Sequence, residues 1–597
     1  MDKKHIFLIC VDAMCLQHHG ANNHRNSTTP FLDKMAKEGL FCERMYAQGP
    51  YSEASLAGIL GGERTLAHGT YFQSIENVKH TLFELLGKIG YNTYSLLFPY
   101  VNSSSYVRGC ETCWYDRGVT FNALVDYRGK HVSKLLEEGK CTNEEINAFA
   151  KLLQDHLFHL ENIVEGVLKK SESTVLIRDY INMTEGELKE YLREINEQQY
   201  ELGRAPEAYT KQFLRNLDRP FNGLKELKLT ISDDSAKIEW IQQHWKPLME
   251  KAEKLEHEYN KRNKHVDIAY LLCLALEDEL GLRAAVRCNR AYKAAKNSSR
   301  LTECIQGEII QKKPVIRAAS VFDKVINVSK KLDKPSFFYL HVEDFHTPTM
   351  PYSSQHLENR NLKREYKQAE EYINSLPENY QGDLRSDLGA LYMDSCIEEF
   401  ISGLPDTVKE NAVFIVTADH GNPFYNCPPR QEGVNTFYEE NLHIPFYMWG
   451  KDIEPRHLHG IYNTSDIMPT ILHYIGEDDL YHSIKEELRT ETVSMSEEQG
   501  RKFTIAEYMG PGCPDIYRNP IYYSIIGENY KVNCKVLLSD SITTSQIIEV
   551  YNLKKDPEEK YNLRHWYMHK NEVKELITKL RERHSSNQSF YLSETHL

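Results

Sequence analysis

The stretch from Asn411 to Asn422, NAVFIVTADHGN, most constrains how this chain can fold. An apolar, β-branched run ends abruptly in Thr417, Ala418, Asp419 and His420, which predicts a strand buried on both faces within an α/β sheet. Ligands in such sheets collect outside the carboxyl ends of the strands, and an adjacent carboxylate and imidazole suit a divalent cation. The alternative is a polar strand end that caps the next helix, and the motif alone does not decide between them.

Composition excludes several classes of protein. The 597 residues, 41% hydrophobic and 26% charged, are typical of a soluble globular protein with two to four structural units. A net charge of -14 without a compensating basic block argues against nucleic-acid binding. The longest apolar run, Ile268 to Leu276, is far shorter than the roughly 20 residues of a membrane span. Thirteen cysteines without a disulfide framework favour a reducing, cytoplasmic location.

A second strand end carries another carboxylate. His5 to Val11 is predicted to be a buried strand, and Asp12 follows it as Asp419 follows its own strand, so the two could face one ion. Ser52 follows a Gly-Pro turn and precedes a helix of small residues, which would place its hydroxyl where an anion is favoured. The alternative is that Ser52 is only the N-cap of that helix.

The pattern changes in the middle of the chain and again near its end. Between about Val125 and Gln311 we predict helices, opened by capping boxes at Thr142 and Thr184 and including long charged helices at 235–262 and 266–296. His156 and His159 are predicted on a helix surface. After Gly500 the pattern predicts short strands at 502–508, 521–526, 530–538 and 546–551, then a helix at 572–583, with the last dozen residues frayed.

Several of these segments resemble the sulfatase and alkaline-phosphatase superfamily. The strand ending in Asp12, the segment TPFLDKMAKEG and the helix that starts near Ser52 are similar to the amino-terminal third of that superfamily. Its later signatures resemble HVEDFHTPTMPY at 341–352, TADHG at 417–421, FYEENLHIPFYMWG at 437–450, SDIMPTILHYIG at 465–476 and EVYNLKKDPEEKYNL at 549–563. The matches cover roughly 1–120 and 320–565 in collinear order.

The resemblance implies a fold and a division of the chain. The expected fold is α/β, an alkaline-phosphatase-like α/β/α sandwich with a large helical insertion and a small C-terminal antiparallel sheet plus helix. We expect residues 1–124 to form the first part of the core, 125–315 the helical insertion, 316–500 the second part of the core, and 501–597 a C-terminal α+β subdomain.

The resemblance also implies a site with one divalent ion, which could be Mn, Zn, Ca or Mg. Its expected metal ligands are Asp12, Ser52, Asp419 and His420. Ser52 is also the expected nucleophile, while His346 and His443 are expected to bind the substrate's oxygens or protonate the leaving group. Glu439, near the site in sequence, is expected to be structural.

Departures from the family pattern shape the predicted activity. Ser52 begins SEASL, which lacks the Pro and Arg of the CxPxR cue for formylglycine, Ala13 stands where a second aspartate is usual, and no Gly-Lys-x-His segment precedes about residue 115. We therefore predict a metal-dependent hydrolase or transferase that cleaves phosphoesters through an unmodified serine. Sulfate-ester hydrolysis is one alternative, and a catalytically degenerate binding protein is another. The expected substrate is a small-molecule or glycan-linked phosphate or sulfate ester.

Overall fold

The computed structural model describes residues 3–22, 28–67, 69, 77–97, 107–115, 123–217, 227–228, 318–345, 362–377, 380, 384–421, 437–509, 515–559 and 561–593, with short helical pieces between 239 and 255. The predicted helix at 266–296 and the candidate residue His346 lie outside these residues, as does most of the predicted helix at 235–262.

A sheet of nine strands organises the part of the chain that the structure describes up to residue 463. Its strands are β1 (His5–Val11), β2 (Leu40–Tyr46), β3 (Asn92–Leu97), β4 (Thr112–Tyr115), β5 (Ser336–Val342), β6 (Ala412–Thr417), β7 (His443–Ile444), β8 (Phe446–Gly450) and β9 (Arg456–Asn463). Their order is β4-β3-β5-β1-β6-β8-β2-β7, with β9 beside β2. Because β1 is parallel to both β5 and β6, the carboxyl ends of these three strands lie at one edge.

Helices occur along the whole described part of the chain, including many that the sequence analysis did not predict. They are α1 (Pro30–Glu38), α2 (Ser52–Gly61), α3 (Leu82–Lys88), α4 (Ala123–Glu137), α5 (Asn143–Leu168), α6 (Glu185–Arg204), α7 (Pro206–Leu214), α8 (Ala318–Ser329), α9 (Leu362–Ser375), α10 (Leu384–Gly403), α11 (Asp406–Lys409), α12 (Glu439–Leu442), α13 (Ile467–Tyr474), α14 (Asp478–Ile484), α15 (Arg564–Tyr567) and α16 (Asn571–Tyr591).

Helices cover both faces of the large sheet. On one face, Phe7 of β1 stacks on Phe338 of β5 with ring centroids 4.8 Å apart, and Phe400 of α10 packs edge-on against Phe7. Successive side chains of a strand point to opposite faces. Phe337 therefore faces the other side, where Phe83 of α3 packs against it. This arrangement is an α/β/α sandwich, which confirms the predicted fold class.

Helices α4 to α7 form a unit with its own apolar core. Phe149, Leu153, Ile195 and Phe213 are among its buried residues, and Thr142 and Thr184 cap α5 and α6 with the capping boxes that the sequence predicts. Because each cap satisfies backbone N–H groups that the helix itself leaves unpaired, it fixes the start of its helix.

The prediction that His156 and His159 lie on a helix surface is wrong. Their side chains are 3% and 1% exposed, and His159 packs against Tyr115, the last residue of β4. Burial, together with the neighbouring His159, lowers the pKa of His156 to about 3. Helix α5 packs against α4, α6, α7 and the segment around Thr174, so the arc of α5 that is buried is wider than its apolar stripe indicates.

The last part of the chain forms a second, antiparallel sheet. Its strands, in order, are β10 (Thr504–Tyr508), β11 (Ile521–Ile526), β12 (Tyr530–Val536) and β13 (Ile547–Asn552), and α16 packs against β11 and β12. A buried ion pair between Arg64 and Glu507, 3.0 Å apart, ties this sheet to the core. The expected fraying of the last dozen residues is wrong for the described part, because α16 continues to the buried Tyr591.

Among the described residues, no helix is both long and apolar enough to cross a membrane. The cysteines in the same parts of the chain are free thiols.

Candidate metal centre

Two carboxylates meet at the edge where β1 and β6 end. Asp12 directly follows β1 and Asp419 follows β6 by two residues, and both side chains are fully buried. The carboxylate of Asp419 is fixed through Oδ1, which accepts the backbone N–H groups of Ala13 at 3.2 Å and His420 at 2.9 Å. The parallel pairing of the two strands therefore brings together two residues that lie far apart in sequence.

His420 presents one nitrogen to both carboxylates. Its Nδ1 lies 2.6 Å from the carbonyl oxygen of Gly421, and because a carbonyl only accepts, this nitrogen carries the proton. Its Nε2 lies 3.4 Å from Oδ1 of Asp12 and 3.7 Å from Oδ2 of Asp419. A histidine whose Nδ1–H is held by a carbonyl has its Nε2 lone pair free, as metal-binding histidines do.

The carboxylate oxygens that face His420 have few contacts among the described residues, and one of these is between Oδ2 of Asp419 and Nε2 of His341 at 3.6 Å. Both oxygens of Asp12 and Oδ2 of Asp419 are buried without a hydrogen bond to any described residue. Buried carboxylates of this kind are costly unless a charge compensates them. Burial and the neighbouring Asp419 raise the pKa of Asp12 well above its usual range. Burial also acts to raise the pKa of Asp419, but His420, His341 and the Ser52 hydroxyl outweigh it and lower that pKa.

A divalent cation fits this donor set. Two carboxylates and one neutral imidazole, converging within 4.8 Å of one another, are ligands that Mn, Zn, Ca and Mg accept to different degrees. The cation would compensate the buried charge of Asp12 and Asp419. The residues that the sequence identified as candidate ligands are therefore brought together by the fold.

Ser52 lies beside this centre as the first residue of α2. Its side chain is 6% exposed, and its hydroxyl interacts with Asp419. The N-terminus of a helix favours negative charge because its first N–H groups have no partner within the helix. Ser52 is thus a helical residue rather than the N-cap, which is Tyr51. This position is compatible with both predicted roles, ligand and nucleophile.

Ala13 adopts an uncommon backbone conformation next to the centre. Its φ of 64° lies in the left-handed region, which costs a non-glycine residue on the order of 1 kcal/mol. That conformation directs the Ala13 N–H toward Oδ1 of Asp419. Ala13 therefore positions Asp419 through its backbone N–H.

Sequence reasoning missed His341. This residue of β5 is 1% exposed, its Nδ1 lies 3.0 Å from the Tyr339 hydroxyl, and its Nε2 lies 3.6 Å from Oδ2 of Asp419. With Cys10 of β1 it forms a second group of potential ligands around Asp419. The signal was a lone imidazole inside the otherwise apolar run FFYLHV, on a strand next to β1.

His443 lies in a different polar cluster. Its Nε2 is 2.7 Å from the carbonyl oxygen of Glu43, its Nδ1 is 3.7 Å from Glu439, and its ring stacks on Tyr46. These contacts lend no support to its predicted role at the substrate's oxygens, which stays a prediction, as does that of His346.

Glu439, next to His443, is held by a buried cation. Lys531 of β12 is fully buried, 3.2 Å from Glu439 and 2.9 Å from Glu559. The Tyr46 hydroxyl donates to Glu439 at 3.1 Å. This cluster joins the second sheet to α12, beside the metal centre, and gives Glu439 the structural role expected for it.

The sandwich, with the candidate centre at its strand ends, has the alkaline-phosphatase-like architecture that the sequence predicts. Residues 4–157 and 284–477, more than half of the chain, match the family described as Sulfatase. The chain therefore belongs to the sulfatase family, and the predicted superfamily is confirmed.

Comparison with individual proteins adds three examples. No curated protein matches the sequence. A putative sulfatase from Bacteroides fragilis is 12% identical, with 98% of this chain and 96% of that chain covered and a TM-score of 0.49. A putative sulfatase from Bacteroides thetaiotaomicron is 12% identical, with 99% and 95% covered and a TM-score of 0.44. A protein of the alkaline phosphatase superfamily from Vibrio parahaemolyticus is 13% identical, with 96% and 88% covered and a TM-score of 0.39.

Proposed function

We propose that this chain is a metal-dependent hydrolase that cleaves an ester of an inorganic oxyacid at the centre formed by Asp12, Ser52, Asp419 and His420. The observation that carries the proposal is that Oδ1 of Asp12 and Oδ2 of Asp419, both buried without a hydrogen bond from the described residues, converge on Nε2 of His420. Such a set destabilises the fold unless a cation occupies it, so we infer that it is retained for function.

The chain's residues have separate tasks in this proposal. Asp12, Asp419 and His420 would hold the divalent ion, which when bound supplies positive charge to the ester oxygens and lowers the pKa of a coordinated hydroxyl. Ser52 presents its oxygen at the N-terminus of α2, where the helix dipole favours the negative charge of the substrate. The Gly421 carbonyl keeps the Nδ1 proton of His420 in place.

Membership of the sulfatase family supports a sulfate ester as the substrate. Family membership supports a sulfate ester better than the phosphoester, which is favoured by the departures of this sequence from the family pattern. Sulfate transfer to an unmodified serine would leave a sulfo-enzyme that is slow to turn over, so a sulfatase of this kind requires formylglycine at position 52. Whether residue 52 is serine or formylglycine can be measured.

A phosphoester is the second candidate, and one observation favours it. The segment that starts at Ser52 lacks the Pro and Arg of the formylglycine cue. An unmodified serine suits phosphoryl transfer, because a phosphoserine can be resolved by water or an acceptor alcohol at the same centre. For either function, we propose that the protein is located in the cytoplasm.

One experiment distinguishes these functions. Purified protein is assayed with matched sulfate, phosphomonoester and phosphodiester substrates in Mn, Zn, Ca or Mg, and the peptide containing residue 52 is analysed by mass spectrometry. Sulfate turnover with formylglycine supports the sulfatase, and phosphoester turnover with intact serine supports the second candidate. Absence of both activities and of a stoichiometric ion would overturn the proposal and favour the binding protein.

A further inference from the structure

Three exposed side chains that can bind a metal converge where β2 and β9 of the large sheet pair. Glu43 of β2 places Oε2 2.6 Å from Nδ1 of His459 and 3.4 Å from Nε2 of His457, both on β9. The two imidazole centroids are 4.4 Å apart. The three donor atoms lie within 4.8 Å of one another, and none of these residues belongs to the centre around Asp419.

The local backbone explains this convergence. His457 and His459 are two residues apart on β9, so both side chains point to the same face. The register between β2 and β9 shifts between Cys42 and Arg44, and an irregularity of this kind re-aims the residue it contains, here Glu43. The ring of His457 is supported by Phe41, with centroids 5.1 Å apart.

The 2.6 Å contact between Glu43 and His459 is a hydrogen bond when no metal is bound, but it does not explain why a second imidazole approaches the same carboxylate oxygen. Two imidazoles at this separation repel each other if both are protonated, and an exposed pair with one carboxylate contributes little to stability. Two neutral imidazoles and one carboxylate are instead a frequent three-ligand set for zinc, which leaves one position open. The side chains of Glu43, His457 and His459 are 41%, 48% and 73% exposed, so an ion can reach them directly.

We propose that Glu43, His457 and His459 form a second metal site, selective for zinc over the hard cations Mg and Ca. The two nitrogen ligands give this preference, because Mg and Ca favour oxygen ligands. The fourth coordination position of the zinc ion would be open to solvent, beside the groove of about 920 Å³ that His459 lines. This proposal does not depend on the reaction catalysed at Asp419.

Zinc stoichiometry tests the proposal. Full-length protein without a histidine tag is stripped with chelator, then titrated with Zn by calorimetry in the presence of excess Mg. His457→Gln and His459→Gln, each made alone, should weaken one zinc site by at least about tenfold. Asp419→Asn should leave that site intact, which separates it from the candidate catalytic centre.

A matched control exists elsewhere in the chain. His473 lies 2.9 Å from Asp478 in an exposed pair, and among the described residues this pair belongs to no group of three potential metal ligands. His473→Gln should retain the full zinc uptake of the wild type. If His457→Gln and His459→Gln bind as much zinc as the wild type with unchanged affinity, the proposed site does not exist.

The titration is repeated at two protein concentrations. An affinity that does not depend on protein concentration supports a site within one chain. Zinc binding that appears only at the higher concentration, together with dimers in analytical ultracentrifugation, would show that zinc bridges two chains and would overturn the proposal.

Discussion

The backbone N–H of Gly421 donates a hydrogen bond to the carbonyl oxygen of Asn441 at 2.7 Å. The chain after His420 is therefore held directly against α12, and a Cβ on Gly421 would lie 1.9 Å from the Glu440 carbonyl oxygen. Gly421→Ala should displace His420 and reduce metal affinity and turnover by at least about tenfold, measured by calorimetry and initial rates.

Gly203→Ala is the control for that change. Gly203 lies in α6, and a Cβ there would meet nothing within 4 Å. This substitution should stabilise the protein by up to about 1 kcal/mol, since alanine is the better helix former. Equal effects of the two substitutions on metal affinity would contradict the role assigned to Gly421.

Two serines of α2 should separate chemistry from stability. Ser52→Ala should abolish nearly all turnover with little change in the free energy of unfolding. The Ser55 hydroxyl donates to the Gly49 carbonyl at 2.9 Å. Ser55→Ala should therefore destabilise the protein by about 1 kcal/mol without changing its turnover. Substantial turnover by Ser52→Ala would rule out Ser52 as nucleophile.

Removal of the Asp12 charge should have opposite effects with and without metal. In metal-free protein, Asp12→Asn removes a buried carboxylate without a hydrogen-bond partner, so the melting temperature should not fall. The wild type should gain about 2.7 kcal/mol at a metal concentration 100 times its Kd, whereas the variant should gain almost nothing. A variant that the ion stabilises as much as the wild type would show that Asp12 is not a ligand.

Ala13→Gly should relieve local strain. Since φ at Ala13 is 64°, glycine should be neutral or stabilising by up to about 1 kcal/mol. Ala36→Gly, in the last turn of α1, should instead destabilise by up to about 1 kcal/mol. Urea unfolding of both variants measures the difference, and equal losses would argue against the left-handed conformation of Ala13.

His156 should make the helical unit sensitive to acid. Its pKa of about 3 in the folded chain is below that of an unfolded histidine, so the unfolded state binds the extra proton as the pH falls below about 6.5. The resulting loss of stability is about 1.4 kcal/mol per pH unit. His156→Leu should flatten the decline between pH 6 and pH 4, measured by urea unfolding, whereas exposed His482→Gln should follow the wild type.

The strand ends were predictable from sequence because their signal is local. In both β1 and β6, an apolar run that is buried on both faces stops at a carboxylate. The order of the family motifs indicated that these two strands are neighbours. The strands of the second sheet were predicted to within a few residues for the same reason, since each combines β-forming residues with flanking turns.

The missed features depend on the three-dimensional structure. The burial of His156 comes from helices that pack around α5, and the approach of His341 to Asp419 comes from the pairing of β1 with β5. The left-handed Ala13 has no sequence signal, because alanine rarely adopts that conformation. His443 was assigned from its place in a motif, which does not specify where its ring points.

The central position of β1 has a consequence for synthesis of the protein. Both strands that pair with β1 come from residues 336–342 and 412–417. At about 5–20 residues per second, a ribosome needs on the order of tens of seconds to deliver them. During that interval HIFLICV has two unpaired edges, which are open to aggregation. The nascent chain therefore needs shielding, and the proposed metal centre can form only after Asp419 and His420 have left the ribosome.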